Sequence, residues 1–210
     1  MIDFPERTVV HQRIPKEAFY KRLPLTAALK AKFVSDVDSI LVANSLTKGN
    51  LNLIKDSEIK EILLLCINLK KQDFDGKIVE AIARQNPHEL IFLLVYEDMH
   101  QLAIYHSKLY RTVWMKEKDL SLTLSGNTLD EIWDDLIRQI AISSEVVLNK
   151  KNQAIDEQLK MQDEMNRLKK LIQKAEAAAW KEQQPKKRFE LYTRLQNYKK
   201  QLEEITHGKA

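Results

Sequence analysis

The stretch Ile59–Leu69, IKEILLLCINL, decides the fold. Its apolar residues occupy both parities of an extended chain, which suits a strand buried on both faces better than a half-exposed edge strand. Downstream, Asp73 or Asp75 opens a helix whose apolar positions Ile78, Val79, Ile82 and Ala83 recur at helical spacing, and Asn86-Pro87 stops it. Leu90–Tyr96 is a second continuous apolar strand. A strand–helix–strand unit of this kind predicts a parallel pair joined by a right-handed crossover. Glu97-Asp98-Met99-His100 reads as a hairpin turn that returns through Leu102, Ile104 and Tyr105, and Tyr110–Met115 and Leu120–Leu124 offer two further short strands.

Upstream, Val37–Leu46 is rich in Ile, Leu and Val and reads as a strand closed by the turn Lys48-Gly49-Asn50. The first 35 residues read as a clasp followed by two short helices. One runs from Lys16 to Leu23, begun at Pro15 and ended at Pro24; the other, through Ala27, Leu29 and Phe33, is capped by Thr26. The expected class is therefore α/β (α+β): a mixed sheet of four to six strands with flanking helices.

After Gly126 the pattern changes. Thr128-Leu129-Asp130-Glu131 is a capping box, and no Gly or Pro occurs from there to Gln183. Leu129, Ile132, Trp133, Leu136, Ile137 and Ile140 form a broad stripe suited to packing on the sheet. The stripe then narrows to Met161, Met165, Leu168, Ile172, Ala175 and Ala179, alternating steps of four and three, the spacing of a coiled-coil seam. Pro185 breaks the helix, and Leu191, Leu195, Tyr198, Leu202 and Ile205 repeat the seam. Two seams separated by a short Pro turn describe a long C-terminal antiparallel helical hairpin. The expected organisation is an α/β body over residues 1–127, a connecting helix over 128–150 packed on it, and the hairpin over 151–210. A second copy pairing with the exposed seams, giving a homodimer through these helices, fits the same pattern.

Composition removes several classes of protein. With 44% hydrophobic residues the 210-residue chain fills a core, and only 4 Gly and 5 Pro exclude a low-complexity chain. A single Cys excludes a disulfide framework and a thiolate metal cluster within one chain. No apolar run approaches the roughly 18 residues that cross a bilayer, and no apolar signal segment opens the chain, so a cytoplasmic protein is expected. The net charge of +4 is uneven: residues 151–210 carry 14 basic and 9 acidic side chains, residues 1–35 carry 7 and 3, and residues 36–150 carry 13 and 18. Basic ends on an acidic body suit a polyanion or an acidic protein surface, although interleaving with acids also suits well-solvated helices.

Motifs for chemistry are sparse. There is no phosphate-cradling Gly loop, no G-x-S-x-G elbow and no His pair at ligand spacing on one helix. His100 and His106 share a strand parity but stand roughly 20 Å apart along an extended chain. No catalytic residue, metal ligand or cofactor is assigned. Cys66, inside the apolar run, reads as a buried inert thiol. The best binding candidate is the hairpin tip, where Trp180-Lys181 precedes Pro185-Lys186-Lys187-Arg188-Phe189. Lys181, Lys186, Lys187 and Arg188 suit phosphates while Trp180 or Phe189 stacks on bases. Alternatively, Trp180 and Phe189 pack together to close the hairpin.

Two resemblances bear on function. The element order resembles the core of the PD-(D/E)xK metal-dependent nucleases, with Asn68-Leu69-Lys70 in the place of the acid-x-lysine tripeptide and Asp38 or Asp56 as the other acid. Asn68 is a poor substitute there, because a neutral amide does little to neutralise a metal, so a degenerate site is implied. More widely, the chain resembles an uncharacterised bacterial family, one of the catalogued domains of unknown function. The residues that carry this likeness are Arg13-Ile14-Pro15-Lys16 with Phe19-Tyr20, Ile67-Asn68-Leu69-Lys70, Asn86-Pro87 before Leu90–Val95, Tyr110-Arg111-Thr112-Val113-Trp114, Leu136-Ile137-Arg138-Gln139-Ile140, and the Lys/Glu-rich hairpin. Members of that family resemble small companions encoded beside helicases and DNA methyltransferases in defence and restriction-like clusters. The resemblance implies a non-enzymatic accessory subunit of an anti-phage system, with a helicase or DNA-modifying protein as partner, DNA as a second contact and no membrane. The alternatives are the nuclease and a stand-alone DNA-binding protein.

Overall fold

The computed structural model describes residues 2, 4–22, 25–143, 146 and 153–207. They fall into two compact units, Met1–Ala141 and Ile142–Ala210.

The first unit is a mixed seven-stranded sheet with helices. Strands β1 (Val9–Ile14), β2 (Val37–Thr47), β3 (Glu61–Leu69), β4 (Glu89–Tyr96), β5 (Met99–His106) and β6 (Lys108–Arg111) lie in chain order across it. The two-residue strand β7 (Met115–Lys116) pairs with Met99–His100 of β5. Among these pairs β3 and β4 alone run parallel, joined through helix α3 (Lys77–Gln85), as the strand–helix–strand spacing predicts.

The double parity of Ile59–Leu69 is explained by cover on both faces. Leu65, Ile67, Leu69, Phe92 and Leu94 share one core with Phe33 of helix α2 (Ala27–Asp36) and with Ile78, Val79 and Ile82 of α3. Ile62, Leu64, Ile91, Leu102 and Ile104 are buried as well, and helix α4 (Leu129–Ala141) packs on β3, β5 and β6 with Leu129, Ile132, Trp133, Leu136, Ile137 and Ile140 all buried. Burying a large aliphatic or aromatic side chain is worth about 1.5–3 kcal/mol, so a strand fed from two sides anchors the unit. Strand β2 serves both cores through a bulge: Val42 pairs with Leu65, but Asn44 pairs with Leu64. Ile40 and Val42 thus share the α2–α3 face, and Asn44 and Leu46 the other, although the alternation Ile40, Val42, Asn44, Leu46 looks unbroken in the sequence.

Capping follows the sequence with one adjustment. Thr26 Oγ1 accepts from the Leu29 amide at 3.2 Å, and α2 begins there. Thr128 Oγ1 accepts from the Glu131 amide at 3.1 Å, while Glu131 Oε2 accepts from the Asn127 amide at 2.7 Å, one residue before the cap itself. Gly126 makes this possible: its φ is +148°, and a Cβ there would meet Glu131 Cβ and the Ile132 nitrogen at 2.9 Å.

Three expectations change. The sheet has seven strands rather than four to six: β1 is an additional edge strand, and two short strands, β6 and β7, stand where one was expected. The β1 residues VVHQRI are mostly exposed, so no alternation betrays that strand. Tyr110–Met115 is split between β6 and β7 at Thr112, where side chains share the ladder: the Thr112 amide still donates to the Leu102 carbonyl at 2.9 Å, but the Leu102 amide donates to Thr112 Oγ1 at 3.0 Å and Gln101 Nε2 donates to the Thr112 carbonyl at 2.7 Å. Leu120–Leu124 forms no strand; Leu122 makes a single bridge with Ile2. The first helix is α1 (Lys16–Arg22); Leu23 and Pro24 lie outside the described residues, as do most of residues 144–150 of the expected connecting helix and residues 151–152 of the expected hairpin.

The second unit is built on α5 (Ile155–Lys181) and α6 (Pro185–His207), which pack together across a three-residue connection and are therefore antiparallel. No described helix is long and apolar enough to cross a membrane.

Candidate functional site

The seam brings its residues together unequally. Met165, Leu168, Ala175 and Ala179 of α5 and Leu195 of α6 are buried, whereas Met161, Ile172, Leu191, Tyr198 and Leu202 are half-buried. An ion pair of 2.9 Å between Glu176 and Lys199 spans the arms, so the arms pair within one chain. Toward its N-terminus α5 also buries Gln162, whose Oε1 accepts from the Ser143 amide at 2.7 Å.

At the tip the packing ends. Every residue from Gln183 to Glu190 is exposed, and Leu195 is the first buried residue of α6. Polar contacts close the turn: Arg188 Nε donates to the Glu182 carbonyl at 3.1 Å, the Gln184 amide donates to Glu182 Oε1 at 2.9 Å, and the Arg188 amide donates to the Gln184 carbonyl at 3.0 Å. Pro185 supplies a first helical position that needs no N–H. Trp180 and Phe189 do not close the hairpin: they are 86% and 73% exposed. Tyr192, one turn past Phe189, is exposed as well. Among the described residues no carboxylate stands in ion-pair range of Lys181, Lys186 or Lys187. Residues 180–194 hold five basic and two acidic side chains. Among the described residues the tip therefore offers three ammonium groups without a carboxylate partner and two large ring surfaces, a combination whose charge suits phosphate and whose rings suit stacking on bases. Of the five expected tip residues, Arg188 differs, because its guanidinium is folded back onto the turn.

The nuclease-like tripeptide has a different occupation. Asn68 Nδ2 donates to Ser39 Oγ at 2.8 Å across the β2–β3 ladder. Lys70 Nζ donates to the Val34 carbonyl at 3.0 Å, its amide donates to the Asp36 carbonyl at 2.8 Å, and Lys16 Nζ donates to the Val37 carbonyl. Lys16 and Lys70 thus cap the carbonyl end of α2, where cations offset the helix dipole. Burial and the neighbouring Lys70 charge lower the Lys16 pKa. Asp38 is exposed. Asp56 pairs with Lys48 at 2.6 Å, just past the Thr47 end of β2, which lies opposite Glu61. Asn68 and Lys70 lie at the far end of the nine-residue β3, about 26 Å away along the strand. Among the described residues, no three His, Cys, Asp or Glu side chains stand together as a metal site.

The residue that sequence reasoning missed is Asp36. Its side chain is 1% exposed and accepts from Lys71 Nζ at 2.8 Å, from Ser35 Oγ and from the Asp75 amide at 3.1 Å. Burial alone would raise its pKa; the bonds from Lys71, Ser35 and the Asp75 amide outweigh that and hold it below the ordinary value of 3.8. It ties the end of α2 to the β3–α3 loop.

A family model described as Domain of unknown function (DUF4391) matches residues 2–202. The chain belongs to this family. The matched span covers nearly all of the first compact unit and residues 142–202 of the second, so most of the hairpin is part of the family's domain rather than an appendage to it. No curated protein and no solved structure matches the chain.

Proposed function

We propose that this DUF4391 protein is a non-enzymatic interaction subunit that contacts nucleic acid through its hairpin tip and docks on a helicase or DNA-modifying partner in a bacterial defence or restriction-like system. The observation that carries the nucleic-acid contact is the exposure of Trp180 and Phe189 beside the unpaired Lys181, Lys186 and Lys187. Large apolar rings left in water at a helix end that other contacts already close are better explained by a ligand than by folding. The partner class rests on the resemblance to small companions of helicases and methyltransferases.

The tip is tested by fluorescence anisotropy with labelled single-stranded and duplex DNA over a salt series. Each phosphate contact on a single strand contributes about 0.7 to the slope of log K against log salt, so Lys181→Gln, Lys186→Gln and Lys187→Gln together lower that slope by about 2. Trp180→Ala costs about 1–3 kcal/mol if the ring stacks on a base. Binding that ignores all four changes would remove the tip from the mechanism. The partner is tested by affinity capture of the tagged chain from its host before and after nuclease digestion. A helicase or methyltransferase retained after digestion supports a protein–protein dock; recovery of the tagged chain alone defeats it.

A further inference from the structure

The two arms of the hairpin carry exposed rings on one shared flank. Glu176 follows the buried Ala175 and Lys199 follows the half-buried Tyr198, and the two pair at 2.9 Å beside the seam. The side of α5 that holds Glu176 and the side of α6 that holds Lys199 therefore face the same way. An α-helix turns about 100° per residue, so side chains four or seven apart project in nearly the same direction. Trp180 stands four residues after Glu176, and Tyr192 stands seven before Lys199. Phe189, three residues before Tyr192, is its neighbour one turn nearer the tip, with about 5–6 Å between their Cβ atoms. All three rings are exposed. They make one aromatic face that takes in both arms and ends at the turn.

Charge around this face is one-sided. Lys186 lies one turn before Phe189, and Lys181 adjoins Trp180. Neither pairs with a carboxylate among the described residues. The two acidic side chains between residues 180 and 194 are placed elsewhere. Glu182 accepts from the Gln184 amide within the turn, and Glu190, two residues before Tyr192, is rotated roughly 160° from it around α6. A polyanion thus reaches the rings past lysines rather than past acids.

The rings and the lysines ask for different things of a nucleic acid. Lysines meet the phosphates of a duplex or of a single strand. Rings need open base faces. In a duplex those faces are stacked on one another, and the grooves present only base edges. An unpaired strand leaves them open to aromatic side chains.

We propose, on the reading of the tip as a nucleic-acid contact, that its ligand is single-stranded DNA. Bases stack on the face made by Trp180, Tyr192 and Phe189 while the backbone runs past Lys181 and Lys186. The lysines favour this ligand over an apolar protein surface, which would bury two ammonium groups without partners.

The test titrates the full chain with a labelled oligo(dT) of about 12 residues and with the blunt oligo(dT)·oligo(dA) duplex of the same length, by anisotropy and by Trp fluorescence. The single strand is expected to bind at least tenfold more tightly than the duplex and to quench a fluorescence component that Trp180→Ala removes. Tyr192→Ala weakens binding of the single strand about fivefold or more, and Tyr192→Phe, which keeps the ring, restores it. Phe189 is more exposed than Tyr192, so Phe189→Ala carries the same test if Tyr192→Ala fails to fold. Equal affinity for the duplex, or affinity for oligo(dT) that ignores the loss of the rings, would overturn the proposal. If Lys181→Gln, Lys186→Gln and Lys187→Gln still weaken binding in that case, the tip remains a nucleic-acid contact and only the single-strand preference falls. If they do not, both readings fall together.

Discussion

Asp36→Asn gives the sharpest test of how the sheet unit is held. The native carboxylate is buried and accepts from three donors: a Lys71 ammonium at 2.8 Å, the Ser35 hydroxyl and the Asp75 amide at 3.1 Å. An amide of the same shape keeps one acceptor and turns an NH₂ toward donors that previously met oxygen. Hydrogen bonds to a charged group are worth about 1.5–3 kcal/mol each. The Lys71 side chain is 51% exposed, so its share falls toward that of a surface pair, about 0–1 kcal/mol. The expected loss is about 2–3 kcal/mol, with the bond to the Asp75 amide as the larger part. In a domain of this size that lowers Tm by about 5–10 °C. The depressed folded pKa also sets a pH window. Its stabilisation is complete above the unfolded value near 3.8 and is lost as pH falls through the lower folded value. Urea unfolding followed by circular dichroism at neutral pH and at about pH 2 therefore shows a wide gap between native chain and variant at neutral pH that narrows in acid. A neutral-pH gap below about 0.5 kcal/mol, or one that persists unchanged in acid, would refute this account of Asp36.

Two further outcomes check other parts of the molecule. Met165 is fully buried in the seam, so Met165→Ala costs about 2–4 kcal/mol and strips hydrogen-exchange protection from α6 while sparing β3; unchanged protection in α6 would contradict the pairing of the arms. Burial pushes the Cys66 thiol up, so Ellman's reagent at mildly alkaline pH reacts more slowly with the native chain than with the chain in urea, and equal rates would show an open thiol.

The parts of the fold visible in the sequence are those where one residue pattern has one physical solution. Ile59–Leu69 needs cover on both faces and has it, from α2 and α3 on one side and α4 on the other. Thr26 and Thr128 mark helix starts because few other side chains accept from an N3 amide. What stayed hidden depends on tertiary partners. Strand β1 has no buried face to print a pattern. The bulge in β2 preserves the spacing of Ile40, Val42, Asn44 and Leu46 while moving the last two to the opposite core. Lys70 has the chemistry of a catalytic lysine in sequence, and its position at the carbonyl end of α2 follows only from how the chain folds back. Asp36 ends a helix of unremarkable composition, and the donors that define it come from Ser35, Lys71 and Asp75 together.

The hairpin tip separates composition from geometry in the same way. Its sequence offered two uses for Trp180 and Phe189, closing the turn or meeting a ligand. The turn is closed without them, by Arg188 and Gln184 on Glu182, and the seam first buries a residue of α6 at Leu195, more than a turn beyond Phe189. Two rings that stand mostly in water contribute little to the fold, and substitutions at such positions usually stay within about 0.5 kcal/mol. Trp180→Ala and Phe189→Ala should therefore leave Tm unchanged while lowering affinity for DNA. A fall in Tm comparable to that of Met165→Ala would instead return both rings to a structural role and leave the lysines as surface charge.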